Sequence, residues 1–99
     1  WPALANRVPE FEKLKLTGGW AGYYDCNTLD NNAIVGKHPK YENVYLATGF
    51  TGRGLMQAPG IGRGLTELIM TGKYQTIDLS CFSLDRIFSQ KKRTEPYVL

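Results

Sequence analysis

The stretch that decides the reading is Tyr45-Leu46-Ala47-Thr48-Gly49-Phe50-Thr51-Gly52-Arg53-Gly54-Leu55-Met56-Gln57-Ala58-Pro59-Gly60-Ile61-Gly62-Arg63. A short apolar run enters a glycine-rich turn, and the turn enters a segment with helical periodicity. Glycine fills positions 49, 52 and 54. Glycine accepts positive φ and lets a ligand approach bare backbone. The start of a helix offers unpaired N–H groups and a partial positive charge, so the turn suits an anion or a group that becomes anionic. No second glycine-rich loop of the dinucleotide type follows another strand, so the turn reads as half of a larger site.

Working outward, Val44–Thr48 predicts a short apolar strand, of the kind buried on both faces in a parallel sheet. Ile61, Leu65, Leu68 and Ile69 mark the apolar stripe of a helix running to about Met70. Pro59 fits the first turn of that helix, and Gly72 fits a left-handed C-cap. On the N-terminal side, Trp1–Lys15 predicts an amphipathic helix through Leu4, Val8, Phe11 and Leu14, kinked or broken near Val8 by Pro9. Leu14–Asp25 alternates and is rich in Trp and Tyr, which predicts a strand, with Gly18-Gly19 as a bulge or close approach. Asn27–Asn32 is turn chemistry. Ala33–Gly36 predicts a second strand, paired with the first as a hairpin, and Lys37–Asn43 a polar loop. After the long helix come a short extended piece, Tyr74–Leu79, one turn of helix within Ser83–Phe88, and a loose tail, Gln90–Leu99. The class is α+β. One strand–turn–helix is of the type found at the carboxyl edge of an α/β sheet, where ligands bind.

With 99 residues, 42% of them hydrophobic and 12% aromatic, the chain reads as one globular domain at most. No apolar run approaches the ~18 residues of a membrane span. The opening on Trp1-Pro2-Ala3 leads us to expect a piece of a longer protein. The net charge of +3 is scattered, with Lys91-Lys92-Arg93 the only basic cluster, so nothing points to nucleic acid. Cys26 and Cys81 have no partner motif, and His38 is the single histidine, so a structural zinc site and a serine-type triad lack their residues. His38, before Pro39, reads as a turn residue, and the two thiols read as reduced.

Two readings of the turn stand on these residues alone. One is a tight strand-to-helix connection without ligand. The other is a ligand cradle. The P-loop pattern fails, because no Gly-Lys-Ser/Thr is present, and Gly60-Ile61-Gly62-Arg63-Gly64 is not Gly-x-Gly-x-x-Gly. Those three glycines fit close packing of the helix on the sheet. A cradle without a pyrophosphate fingerprint suits the ring end of a large cofactor. Flavin fits, since its reduced ring carries negative charge that a helix N-terminus stabilises.

Thr48-Gly49-Phe50-Thr51-Gly52-Arg53-Gly54 with Ala58-Pro59-Gly60-Ile61-Gly62-Arg63 resembles the C-terminal flavin motif of the DAO family, the glycine, sarcosine and D-amino-acid oxidase-like FAD-dependent oxidoreductases. Trp20-Ala21-Gly22, Thr28-Leu29-Asp30 and Ile34-Val35-Gly36 are similar to the segment that precedes it, with Leu29 where proline is usual. Thr71-Gly72 and Asp78–Arg86 look like the closing stretch that ends in Phe-Ser-x-x-Arg. The three blocks agree in order and spacing over roughly residues 14–88.

The resemblance implies a fragment of an FAD/NAD(P)-binding α/β flavoprotein. Residues 1–43 would end an antiparallel substrate domain, 44–88 would supply the strand–turn–helix of the FAD domain, and 89–99 would be a tail. Gly52, Arg53, Gly54, Leu55 and Met56 would line the ring and ribityl end of FAD, with Gly49, Phe50 and Thr51 forming the approach. Tyr23, Asp25 and Arg53 would face the substrate, with Tyr24 beside them. No residue stands out as a general base, and the catalytic residues stay unassigned. Attachment would be non-covalent, because the family's flavin-linking cysteine falls near Tyr23 rather than at Cys26. Sarcosine-oxidase-like members often carry His where Arg53 stands, and a basic residue toward the substrate carboxylate where Met56 stands. Met56 cannot form that ion pair. The partners implied are the N-terminal Rossmann half of the same protein and a small amine-like substrate. The resemblance reaches furthest toward a mitochondrial branch of the family tied to assembly of respiratory complex I, whose subunits or assembly intermediates would be further partners. A scaffold with bound FAD and little catalysis is therefore the alternative to an enzyme, and the fragment alone is expected to be inactive.

Overall fold

The computed structural model describes residues 2–23 and 25–94. Helix α1 covers Pro2–Arg7, followed by a 3-10 turn over Pro9–Lys13. The break expected near Val8 is present, and regular structure ends at Lys13 rather than Lys15. Val8 turns to an extended conformation (φ −135°, ψ 92°), which is what the steric demand of Pro9 imposes on the residue before it.

Strand β1 is Ile34–Lys37 and strand β2 is Tyr45–Thr48. They pair antiparallel with Val35 opposite Ala47 and Gly36 opposite Leu46. This corrects two expectations. The partner of β1 is β2, not the Leu14–Asp25 run, and β2 lies in an antiparallel pair rather than a parallel sheet. Residues 14–23 form no strand, and Leu16 and Trp20 are 95% and 96% exposed. Gly18 and Gly19 have no neighbour within 4 Å, so neither marks a close approach. Alternation supplies one face of a strand, but a strand also needs a hydrogen-bonded edge beside it. Among the described residues, Cys26, just past the run, forms an isolated antiparallel bridge to Phe50.

Helix α2 runs Gly54–Thr71, then a 3-10 turn covers Ser80–Phe82, and α3 is Asp85–Phe88. Tyr74–Leu79 forms no strand. Helix α2 begins earlier than the proline suggests, so Pro59 sits inside it. Its end follows expectation: Gly72 is left-handed (φ 76°) and its N–H reaches Leu68 O. The tail beyond Thr94, like Tyr24, lies outside the described residues.

The core is small. Val35, Ala33 and Leu79 are buried, with Phe50, Ile61, Leu65, Tyr74 and Phe82 packed around them. Gly64 is the buried point of α2. A Cβ there would lie 2.5 Å from Leu79 Cδ1, so glycine is what lets the helix approach this cluster. A Cβ on Gly60 would meet Ile77 Cδ1 at an ordinary 3.6 Å and Gly62 faces open space, so only Gly64 of the three needs glycine for packing, and Ile69 is 52% exposed. The inward stripe is therefore buried Gly64 with half-buried Ile61, Leu65 and Leu68, and Ile69 is not part of it. The radius of gyration is 17.7 Å, against about 13 Å for a compact domain of this length. No described helix is long and apolar enough to cross a membrane.

Candidate flavin-ring site

The turn between β2 and α2 is built by three left-handed residues. Gly49 (φ 72°), Thr51 (φ 52°) and Gly52 (φ 81°) reverse the chain, and Arg53 N–H donates to Phe50 O at 3.1 Å to close it. Two successive positive φ values at 51 and 52 give the sign pattern of a type I′ turn. Thr51 accepts this conformation with its hydroxyl donating to Gly49 O at 3.2 Å.

Two neighbouring segments hold the turn. The Asp25 carboxylate accepts the Gly49 N–H and the Thr48 hydroxyl, the latter at 2.8 Å. The Thr51 N–H donates to Asp25 O at 3.0 Å. These donors, first the Thr48 hydroxyl and then the Gly49 amide, hold the Asp25 carboxyl below its ordinary range. On the other side stands the Asn27–Asn32 loop. A Cβ on Gly49 would lie 3.1 Å from Asn27 Cβ, and Asn31 O accepts from Arg53 Nη2 at 2.6 Å.

The loop itself is a closed polar knot. Asn27 Nδ2 donates to Asp30 Oδ1 (2.9 Å) and Asn32 O (2.7 Å). Arg86, on α3, places Nη1 2.5 Å from Asp30 Oδ2, and both side chains are almost wholly buried. Its Nη2 donates to the carbonyls of Asn32 and Ala33 at 3.1 and 2.6 Å. Burial pulls the Asp30 carboxyl upward, but the Arg93 amide and the Arg86 guanidinium outweigh it and leave the group lowered. Removing one partner of such a pair costs about 3–5 kcal/mol, because the other charge is stranded.

The start of α2 is open. Arg53 gives no side-chain cap, and the first turn has no acidic residue. The first intrahelical bond is Gln57 N–H to Arg53 O, at 3.3 Å. The N–H groups of Gly54, Leu55 and Met56 therefore have no carbonyl within the helix to meet. The side chains of Leu55 and Met56 are exposed. Met56 also borders a cleft of about 290 Å³ with Gln57, Ile61, Ile77 and Phe82. Bare glycines, three amides without intrahelical acceptors and an adjoining apolar wall could hold the anionic edge of a flat ring such as a flavin.

The expected flavin residues Gly49, Phe50, Thr51, Gly52, Arg53, Gly54, Leu55 and Met56 thus lie together in one turn and helix start. Asp25 joins them through the Gly49 amide. Tyr23 stands fully exposed. Sequence reading took Asn27–Asn32 as turn chemistry alone and missed Asn31 and Asp30 as supports of the site. The signal was the density of Asx residues, since Asn and Asp side chains bond nearby backbone. Cys26 and Cys81 are both free and exposed. His38 accepts the Lys40 N–H at Nδ1 and stacks near Tyr41 in the loop after β1. Among the described residues, no three His, Cys, Asp or Glu side chains gather where they could hold a metal.

A family model described as "DAO: FAD dependent oxidoreductase" matches residues 1–68. The chain belongs to the DAO family of FAD-dependent oxidoreductases. The family's cofactor is the one expected from the turn. FAD-dependent oxidoreductase domain-containing protein 1 of Bos taurus is 52% identical over 99 residues, all of this chain and 20% of that protein. The Drosophila melanogaster homolog is 50% identical over 86 residues, 87% of this chain and 17% of that protein. Monomeric sarcosine oxidase from Bacillus sp. (strain B-0618) is 42% identical over 59 residues, 60% of this chain and 15% of that protein. The chain spans about a fifth of the length of the first two. No solved structure matches it. As a DAO-family chain it carries the glycine turn and the open helix start in one continuous segment.

Proposed function

We propose that this chain is the C-terminal portion of a flavoprotein that oxidises an amine or amino-acid-like C–N substrate. The observation that carries the reading is the open start of α2, three outward amides behind a glycine turn, in a DAO-family chain. The full protein divides here into the end of a substrate domain over 1–43, the strand–turn–helix of the FAD domain over 44–88 and a tail. An N-terminal Rossmann half would hold the ADP end of FAD. Two features support a missing partner surface: the expanded radius of gyration, and large apolar side chains such as Trp20 and Leu55 that stand exposed.

In this scheme the amides of Gly54, Leu55 and Met56 would hold the pyrimidine edge of FAD non-covalently, and Gly49 and Gly52 would leave it room by having no side chain. FAD, when bound, supplies the hydride acceptor for a C–H next to nitrogen. The chain's own part is electrostatic. The helix start and the Arg53 guanidinium favour negative charge at the turn. Tyr23, Asp25 and Arg53 border the space on the substrate side.

A second reading has its own support: a mitochondrial assembly or scaffold factor of respiratory complex I in which FAD is structural. Met56 offers no charge to a substrate carboxylate, and Asp25 is engaged in holding the Gly49 amide. The sarcosine oxidase relatives favour the first reading. Flavin absorbance of the full-length protein, followed under anaerobic addition of N-methyl amino acids, separates them. Bleaching establishes the oxidoreductase. A bound flavin that no amine reduces establishes the scaffold.

A further inference from the structure

Arg86 and Arg93 lie far along the chain from the glycine turn, yet both close on the loop that walls it. Arg86 binds the Asp30 carboxylate and the carbonyls of Asn32 and Ala33. Arg93 is tied through its backbone at both ends. Its N–H donates to Asp30 Oδ2 at 2.9 Å, and its carbonyl accepts from Asn32 Nδ2 at 2.9 Å. Its guanidinium lies 5.2 Å from the centre of the Phe82 ring. Between Asp30 and Asn32 sits Asn31, in the left-handed region (φ 57°), whose carbonyl receives Arg53 Nη2. Asn27, at the other end of the knot, limits the space beside Gly49.

The conformation of Asn31 is over-determined by its two neighbours, and each neighbour is fixed by Arg86 or Arg93. A carbonyl held this way is one of the contacts that place the Arg53 guanidinium, and Arg53 is the N-cap of the helix whose amides face the flavin in that reading. Network members of this kind couple rather than add. Resting on the flavin reading above, we infer that Arg86, through the Asp30–Asn32 knot, is a positioning residue for the guanidinium of Arg53 at the start of α2, and that the Arg93 segment is the latch that seats it. The C-terminal segment is then part of the flavin site's electrostatics, though none of its residues lines the turn.

The test uses the full-length flavoprotein and the variants Arg86→Lys, Asp30→Asn and Arg53→Met, with Arg86→Lys also made in the Arg53→Met background. Flavin affinity, visible spectrum and midpoint potential are measured for each. Arg86→Lys and Asp30→Asn should each weaken flavin binding roughly tenfold, alter the visible spectrum and lower the potential. In the Arg53→Met background, Arg86→Lys should add no further change in potential. A purely structural role would lower the melting temperature, leave spectrum and potential at the wild-type values, and add to Arg53→Met; that result overturns the inference. Arg86→Lys keeps the buried charge beside Asp30, so it carries the test if the Asp30 variant does not fold. A wild-type protein that binds no flavin would sink the underlying flavin reading instead. A wild type with flavin and indifferent variants would sink this inference alone.

Discussion

Replacing Gly49 by alanine should damage the flavin site. Gly49 is left-handed (φ 72°), and an L-residue there costs about 1–2 kcal/mol. The new Cβ would also lie 3.1 Å from Asn27 Cβ and 3.7 Å from Asn32 O. Asn27 cannot easily yield. Its amide is held by Asp30 and Asn32, and its Oδ1 receives the Leu29 N–H at 3.1 Å. Overpacking against a fixed neighbour adds about 1–3 kcal/mol. The sum is about 2–5 kcal/mol, and the turn relieves it by leaving the competent geometry. Apparent affinity falls with the fraction of competent turn, so the flavin dissociation constant should rise by about 30- to 4000-fold. The assay is flavin fluorescence titration of the full-length apoprotein, with Gly18→Ala as control. Gly18 has no neighbour within 4 Å and no positive φ, so the control should stay within about 0.5 kcal/mol of wild type. Equal affinities for Gly49→Ala and Gly18→Ala would refute the claim that this glycine shapes the site.

Three further outcomes follow from the same structure. Gly64→Val should destabilise the full-length protein by about 1–3 kcal/mol in thermal unfolding, because its side chain enters the space of Leu79; an unchanged melting temperature would contradict the packing described. Gly72→Ala should lower stability by about 1 kcal/mol through its left-handed cap while leaving the flavin spectrum untouched. Glu67 accepts from Thr76 Oγ1, from the amides of Thr76 and Gln75 and from Arg63, which together lower its carboxyl from 4.5 to about 2. Its folded value lies below its unfolded one, so its contribution is complete above about 4.5 and fades as pH falls toward 2. The stability gap between wild type and Glu67→Gln should therefore be constant from pH 7 to 5 and close below; a gap that widens in acid would reverse the assignment.

The turn and its helix were legible because their signals are local. Three glycines in six positions, an apolar run before them and Gly72 after the helix specify β2, the turn and the C-cap without reference to distant residues. The strand pairing was not legible. Leu14–Asp25 has the right alternation, but β1 took β2, whose Leu46 and Ala47 offer a matching edge. The helix start was misplaced because Pro59 resembles a first-turn proline, although Gly54 already begins the hydrogen-bonded ladder. The supports of the site were hidden for a different reason. Arg86 and Asp30 are 56 residues apart, and no periodicity or spacing reports an ion pair closed across that distance. The Asx-rich loop announced a turn, but not that its Asn31 carbonyl would hold Arg53.

The central claim is that the start of α2 holds the flavin ring, and a structure of the flavin-loaded full-length protein tests it most directly. The account predicts the flavin pyrimidine edge within hydrogen-bond reach of the amides of Gly54, Leu55 and Met56, with Arg53 still bound to Asn31 O. A flavin seated elsewhere, or another protein segment capping those three amides, would contradict it.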